Sequence, residues 1–275
     1  MSTEIKAARY GKAETRLVRI TRDTSRHEIS DLNVSITLTG DLADSHLSGD
    51  NAKVLPTDSQ KNTVYAFARD GVGQPEEFGT RLARHFVDSQ PAIHTACVRL
   101  QEYAWTRVGD HSFCRPAAGE VRTAEARYDG SSTTVAAGLR DLLLLNSTDS
   151  EFSGFVVDDY TTLPPTNDRI LATAVAATWS YASTEIDYDK AYAAARWALV
   201  DAFADTYSLS LQQTLHAMGT RLLDKVPDAT EVSLSLPNRH HFLVDLAPFG
   251  RDNPGEVFFA ADRPYGLIEG TVTRR

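Results

Sequence analysis

Leu32, Val34, Ile36 and Leu38 alternate with Asn33, Ser35, Thr37 and Thr39, the period-two pattern of a half-buried strand. Residues 15–22 precede it as another strand, with residues 24–27 supplying the turn. A helix is expected to open at Pro56–Gln60, where Thr57 and Gln60 have capping-box spacing, and Val64, Phe67 and Ala68 continue it. Gly71, Gly73 and Pro75 break the chain before a second helix marked by Phe78, Leu82 and Phe86. Residues 93–108 and 112–128 read as long strands. The order then repeats. Residues 133–145 and 172–181 are strands separated by a Pro164-Pro165 loop, and Tyr188, Tyr192, Ala195, Leu199 and Phe203 mark one helical face. Leu211, Leu215, Met218, Leu222 and Val226 mark the next helix, with Ser210 and Gln213 as a second capping box. Val232, Leu234 and Leu236 alternate with serines, and residues 241–246 and 256–260 complete the strands.

This order predicts two ββααββ units, residues 1–130 and 131–275, each an antiparallel sheet with helices over one face: an α+β fold. Open sheets of this kind leave edge strands, and self-association into a closed barrel would pair them.

Charge and composition exclude classes without choosing one. With 28 Lys and Arg against 37 Asp and Glu, the net charge of −9 argues against a general nucleic-acid binder. The longest purely aliphatic stretch, Leu142 to Leu145, is far short of a membrane span. Residues 1–13 carry Glu4, Lys6, Arg9 and Lys12 rather than a secretory apolar core. Two cysteines, Cys97 and Cys114, cannot build a disulfide scaffold or a four-cysteine zinc site, and they suit a reducing compartment. There is no G-x-S-x-G, and Gly71-x-Gly73 lacks the third glycine of a dinucleotide loop. The eight histidines contain no i,i+4 pair, so a structural or surface role is favoured over metal ligation, also for His85 and His94 near Cys97.

One set of segments goes further. Residues 54–63, Val-Leu-Pro-Thr-Asp-Ser-Gln-Lys-Asn-Thr, resemble the urate oxidase (uricase) family. So do Tyr10-Gly11-Lys12, Gly154-Phe155 with Asp159-Tyr160-Thr161-Thr162-Leu163, Asp168-Arg169-Ile170, Ser210-Leu211-Gln212, Leu236-Pro237-Asn238-Arg239-His240 and Gly266-Leu267-Ile268, in the same order along the chain. The resemblance implies tandem tunnelling-fold units assembling as a homotetramer around a barrel with outer helices. It also implies a cofactor-free, metal-free oxidation of urate by oxygen and water to 5-hydroxyisourate and hydrogen peroxide.

Urate is a planar purine trione, mostly a monoanion at neutral pH. A site for it needs a flat apolar platform, a cationic fork and amides that read the ring edges. By resemblance these are Phe155, Arg169 and Gln212, with the backbone N–H of Leu211 at a helix start, where the family usually has valine. Taken alone, Phe155 reads as a core residue and Arg169 as an ion pair with Asp168. Reaction with triplet oxygen requires an electron-rich substrate, so the site must remove a proton. A neutral lysine beside a hydroxyl can do this when burial lowers the amine pKa. The resemblance assigns this to Lys12 and Thr57, with His240 completing a proton relay and Asn238 holding oxygen above the ring. Alone, Lys12 is a turn lysine and Thr57 a helix cap. In the family, Thr57 and Asp58 would reach the site from a neighbouring subunit.

Two other readings remain: a pterin-acting tunnelling-fold enzyme using zinc or a glutamate anchor, and a purine-binding protein without chemistry. The terminus Thr271-Val272-Thr273-Arg274-Arg275 lacks an S-K-L peroxisomal address, which makes a cytoplasmic location the expectation.

Overall fold

Leu32, Val34, Ile36 and Leu38 are all buried, which fixes the register of the strand that carries them. That strand, β2 (Glu28–Gly40), pairs antiparallel with β1 (Thr15–Thr21), Leu32 lying opposite Leu17. In the computed structural model, which describes residues 3–116 and 119–274, the chain divides into two compact units. One comprises the chain up to Gly138 with Ser180–Asp189; the other comprises Leu139–Trp179 and the chain from Lys190 onward.

In the first unit β2 is followed by α1 (Ala43–Leu47), α2 (Thr57–Asp70), α3 (Pro75–Asp88) and β3 (Ile93–Tyr103). After β4 (Thr106–Arg107) and β5 (Phe113–Cys114) come β6 (Val121–Tyr128) and the start of β7 (Thr133–Asn146). The strands lie in the order β1-β2-β3-β6-β7, antiparallel from β1 through β6. Val64 and Ala68 of α2 and Phe78, Leu82 and Phe86 of α3 pack with the buried face of β2 and with Val98 and Leu100 of β3. Burying each large apolar side chain of this kind contributes roughly 1.5–3 kcal/mol.

The second unit holds the rest of β7, β8 (Leu171–Tyr181), α4 (Tyr188–Asp205), α5 (Leu211–Lys225) and β9 (Ala229–Asn238). It continues with β10 (His241–Leu243), β11 (Phe258–Ala260) and β12 (Gly266–Thr273), in the sheet order β7-β8-β9-β12. Met218 and Leu222 on the inner face of α5 are buried with Val232, Leu234 and Leu236 of β9. Two glycines let α5 approach β12. A Cβ on Gly219 would lie 2.6 Å from Val272 Cγ2, and one on Gly270 would lie 3.1 Å from Leu215 Cδ2.

The α+β class and the antiparallel ladders follow the sequence pattern; several details do not. The strand expected over 93–108 stops at Tyr103, and 112–128 divides into β5 and β6, because the chain folds back at Val108–Ser112 and β4 pairs with β5. Pro75 opens α3 at its first turn instead of standing between helices; its missing N–H costs nothing there. The strands near 241–246 and 256–260 are short and, among the described residues, pair only with each other, as β10 and β11. The place beside β9 is taken by β12, whose Gly266 and Gly270 interrupt the apolar alternation that would have announced it. No helix among the described residues is long and apolar enough to cross a membrane.

Candidate functional site

The segment around Ser150 organises the second unit's site. Glu151 N–H donates to Ser208 O (2.8 Å) and Ser208 N–H to Asp149 O (2.9 Å), joining this segment to the start of α5. On its other side, Arg169 N–H donates to Ser150 O (2.9 Å), and Phe152 and Thr166 exchange backbone hydrogen bonds at 2.8 and 3.0 Å. The buried Thr214 hydroxyl donates to Ser208 Oγ (2.8 Å), tying the first turn of α5 to the same network. Phe152, Arg169 and the α5 N-terminus are thereby held in one frame.

That frame lines a cleft of ≈ 620 Å³, roughly the size of a small-molecule site. Arg169, Leu211, Gln212, Asn238 and His240 line it, with Phe152 and Ile268 as apolar wall. Arg169 is half-buried, its Nε donates to Ser150 Oγ (3.2 Å), and its guanidinium carbon lies 5.3 Å from the Phe152 ring centre. No carboxylate among the described residues pairs with it, and burial lowers its pKa from the usual arginine range. The ion pair with Asp168 suggested by sequence adjacency is not formed; Asp168 accepts from the Thr148 hydroxyl (3.0 Å). A half-buried cation facing a cleft without a counter-ion suits an anionic ligand.

Ser210 caps α5, its Oγ accepting from Gln213 N–H (3.2 Å), while Gln213 Oε1 accepts from Leu209 N–H (2.7 Å). The second capping box is therefore present, with its reciprocal bond displaced by one residue. Leu211 and Gln212 occupy the first turn beyond the cap, where backbone N–H groups have no acceptor within the helix. No hydrogen bond within the chain occupies the side-chain amides of Gln212 or Asn238 among the described residues. Asn238 closes β9 opposite Gly266, and His240 follows, with its ring stacked on Phe242 at 5.8 Å. Burial, then the charge of Arg169, then His241 lower the His240 pKa, favouring the neutral imidazole a proton acceptor needs.

Phe155 stands one aromatic layer away. Its ring stacks on Phe152 with centroids 5.0 Å apart and planes at 14°, and of these two rings it is Phe152 that lines the cleft. No local spacing marks Phe152 for this place; the one hint in the sequence is an aromatic three residues before Phe155.

Lys12, Thr57 and Asp58 belong to the first unit. Tyr10-Gly11-Lys12 runs along β2, with Tyr10 N–H to Leu38 O (3.1 Å), Leu38 N–H to Tyr10 O (2.7 Å) and Ile36 N–H to Lys12 O (2.8 Å). This approach requires glycine, since a Cβ on Gly11 would lie 1.8 Å from Ile36 O. Thr57 is the first residue of α2 and does not cap it. Pro56 is the N-cap and no side chain caps the helix, while buried Gln60 turns its amide to Leu55 O (3.2 Å). The Thr57 hydroxyl consequently has no hydrogen-bond partner among the described residues. Lys61 and Asn62 hold the Asp58 carboxyl below the usual carboxylate range, with a smaller contribution from the charge of Lys12.

Comparison with known proteins identifies the family. The family profile described as Uricase matches residues 8–133 and 135–269. The chain belongs to the uricase family. A uricase of Arthrobacter globiformis is 54% identical over 267 residues, covering 96% of this chain and 88% of the relative. A uricase of Dictyostelium discoideum is 37% identical over 276 residues, covering 97% and 96%. The crystal structure of the Arthrobacter globiformis uricase matches with a TM-score of 0.97 at 52% identity, covering 100% of this chain and 96% of that one. A urate oxidase from Bacillus sp. TB-90 shares the fold, with a TM-score of 0.83 at 23% identity over 97% of this chain and 100% of that one. Two of the uricase-like segments meet directly in the structure: Leu236 to Asn238 of β9 pair with Gly266 to Ile268 of β12, forming one wall of the cleft.

Proposed function

We propose that this chain oxidises urate with oxygen and water to 5-hydroxyisourate and hydrogen peroxide, without a metal or organic cofactor. The observation that carries the reading is Arg169, a half-buried cation without a carboxylate partner, facing a cleft beside the free amide of Gln212 and a neutral-leaning His240. The guanidinium fork donates to a urate carbonyl oxygen and ring nitrogen, and Gln212 pairs with the opposite amide edge. The Phe155–Phe152 aromatic pair supplies the apolar face, and the Leu211 N–H adds a donor at the start of α5. Lys12 in its neutral amine form, together with Thr57, takes the proton whose loss makes the purine electron-rich enough to pass an electron to oxygen, and His240 relays it. Asn238 and the Thr57 hydroxyl hold oxygen, and afterwards water, above the ring. The atoms balance: oxygen leaves as hydrogen peroxide, and water supplies the 5-hydroxyl.

Thr57 and Asp58 come to this site from a neighbouring subunit, so the working form is a homotetramer whose barrel pairs the edge strands of each chain. This fits β1, which among the described residues pairs only with β2, and β12, which pairs only with β9. Residues 1–130 and 131–275 are the two tunnelling-fold repeats. The partners are urate, oxygen and further copies of the chain, with no nucleic acid or membrane, and the location is cytoplasmic. The unpaired thiols of Cys97 and Cys114 suit that compartment.

The test is urate-dependent oxygen uptake with equal peroxide release in the presence of a chelator. No uptake by folded protein, or loss of uptake with the chelator, overturns the reading. Lys12→Met and Thr57→Ala should each lower kcat far more than they raise KM; the reverse would remove both from the proton relay.

A further inference from the structure

Lys12 and Thr57 must be held in register if they act as a pair, and one side chain spans the distance between their segments. Tyr10 lies two residues before Lys12 on the same extended stretch, so their side chains leave the same face of it. The Tyr10 hydroxyl accepts from Leu55 N–H at 3.0 Å and donates to Leu55 O at 3.2 Å, closing on the residue two before Thr57. Gln60, fully buried one turn into α2, donates its amide to the same Leu55 oxygen at 3.2 Å. Leu55 is thereby fixed through both backbone polar groups, from the lysine's strand on one side and from the helix on the other. Tyr10 packs against the first unit's core, and burial raises its pKa, which keeps the phenol protonated for both hydrogen bonds.

We infer that Tyr10 is a positioning residue for catalysis: its hydroxyl clamps the Leu55–Thr57 turn to the strand of Lys12 and sets the spacing of the Lys12–Thr57 pair. The inference rests on the role given to Lys12 and Thr57 under the proposed function, with Lys12 and Thr57 of one chain serving the same site. Tyr10 touches neither substrate nor oxygen, and it acts only through where it holds the two residues. Loss of the hydroxyl frees the turn while leaving Arg169, Gln212 and the cleft unchanged. Turnover should therefore suffer and urate recognition should not.

The experiment compares Tyr10→Phe, Lys12→Met and the double variant by steady-state oxygen uptake. Tyr10→Phe is expected to lower kcat by about 10- to 100-fold, the scale of a misplacement near 1 Å, with KM within about threefold. In the Lys12→Met background it should lower kcat no further, because there is no longer a pair to position. An unchanged kcat in Tyr10→Phe, or a loss that multiplies onto that of Lys12→Met, overturns the inference while leaving the role of Lys12 intact. An unchanged kcat in Lys12→Met overturns the underlying reading instead. If Tyr10→Phe does not fold, Gln60→Met removes the other contact to Leu55 O. The same kcat-only loss is then expected, and a normal kcat overturns the inference.

Discussion

Gly11→Ala is the sharpest perturbation available, because a single methyl group meets backbone and cannot be accommodated by a rotamer change. The new Cβ would lie 1.8 Å from Ile36 O and 2.7 Å from the Ile36 carbonyl carbon. Reaching ordinary van der Waals contact requires the strand to retreat by roughly 1 Å or more. That retreat breaks or stretches the hydrogen bonds at 3.1, 2.7 and 2.8 Å that tie Tyr10 and Lys12 to β2. At about 0.5–1.5 kcal/mol each, the loss is about 1.5–4.5 kcal/mol. The lower entropy of the unfolded alanine chain returns about 0.4–1 kcal/mol, leaving a net destabilisation of about 0.5–4 kcal/mol. Since Lys12 moves with the strand, kcat should fall by about 100-fold. Denaturant unfolding measures the first effect and urate-dependent oxygen uptake the second. A destabilised variant with normal kcat would detach Lys12 from the chemistry, and a variant unchanged in both would refute the placement of residues 10–12 on β2.

Arg169→Lys keeps the charge but loses the planar fork; KM for urate should rise by about 10-fold or more with a smaller change in kcat. His240 is lowered by burial, Arg169 and His241, so the acid limb of kcat/KM should lie below the ordinary histidine value of about 6.5. Replacing Arg169 with Gln removes a positive charge that opposes protonation, so that limb should move to higher pH; a pH–rate profile reads both. Gly219→Ala puts a Cβ 2.6 Å from Val272 Cγ2, between α5 and β12. It should cost about 1–3 kcal/mol in denaturant unfolding with kcat retained.

The elements legible in the chain were those whose burial alternates cleanly. Leu32 to Leu38 announce β2, and Phe78, Leu82 and Phe86 announce α3, because each apolar side chain lies on one packed face. β12 was hidden because Gly270 stands where a larger inward side chain would strike Leu215, so close packing erased the hydrophobic signal it depends on. Thr57 resembles a cap by spacing alone; Pro56 holds that position and Gln60 is drawn to Leu55 O, and neither preference is visible in a four-residue motif. In the cleft, Arg169, Leu211, Gln212, Asn238 and His240 come together from segments far apart in sequence. Phe152 escaped notice because its partners, the Phe155 ring and the Arg169 guanidinium, are set by tertiary contacts that no local spacing encodes.

The unpaired charge of Arg169 has a consequence for the lifetime of the protein. Keeping a half-buried guanidinium without a carboxylate taxes the empty fold, and a bound anion lifts that tax. Substrate therefore acts as a folding ligand, adding about 2.7 kcal/mol when present at 100 times its dissociation constant. The protein should withstand denaturant and proteolysis better with urate bound than without it.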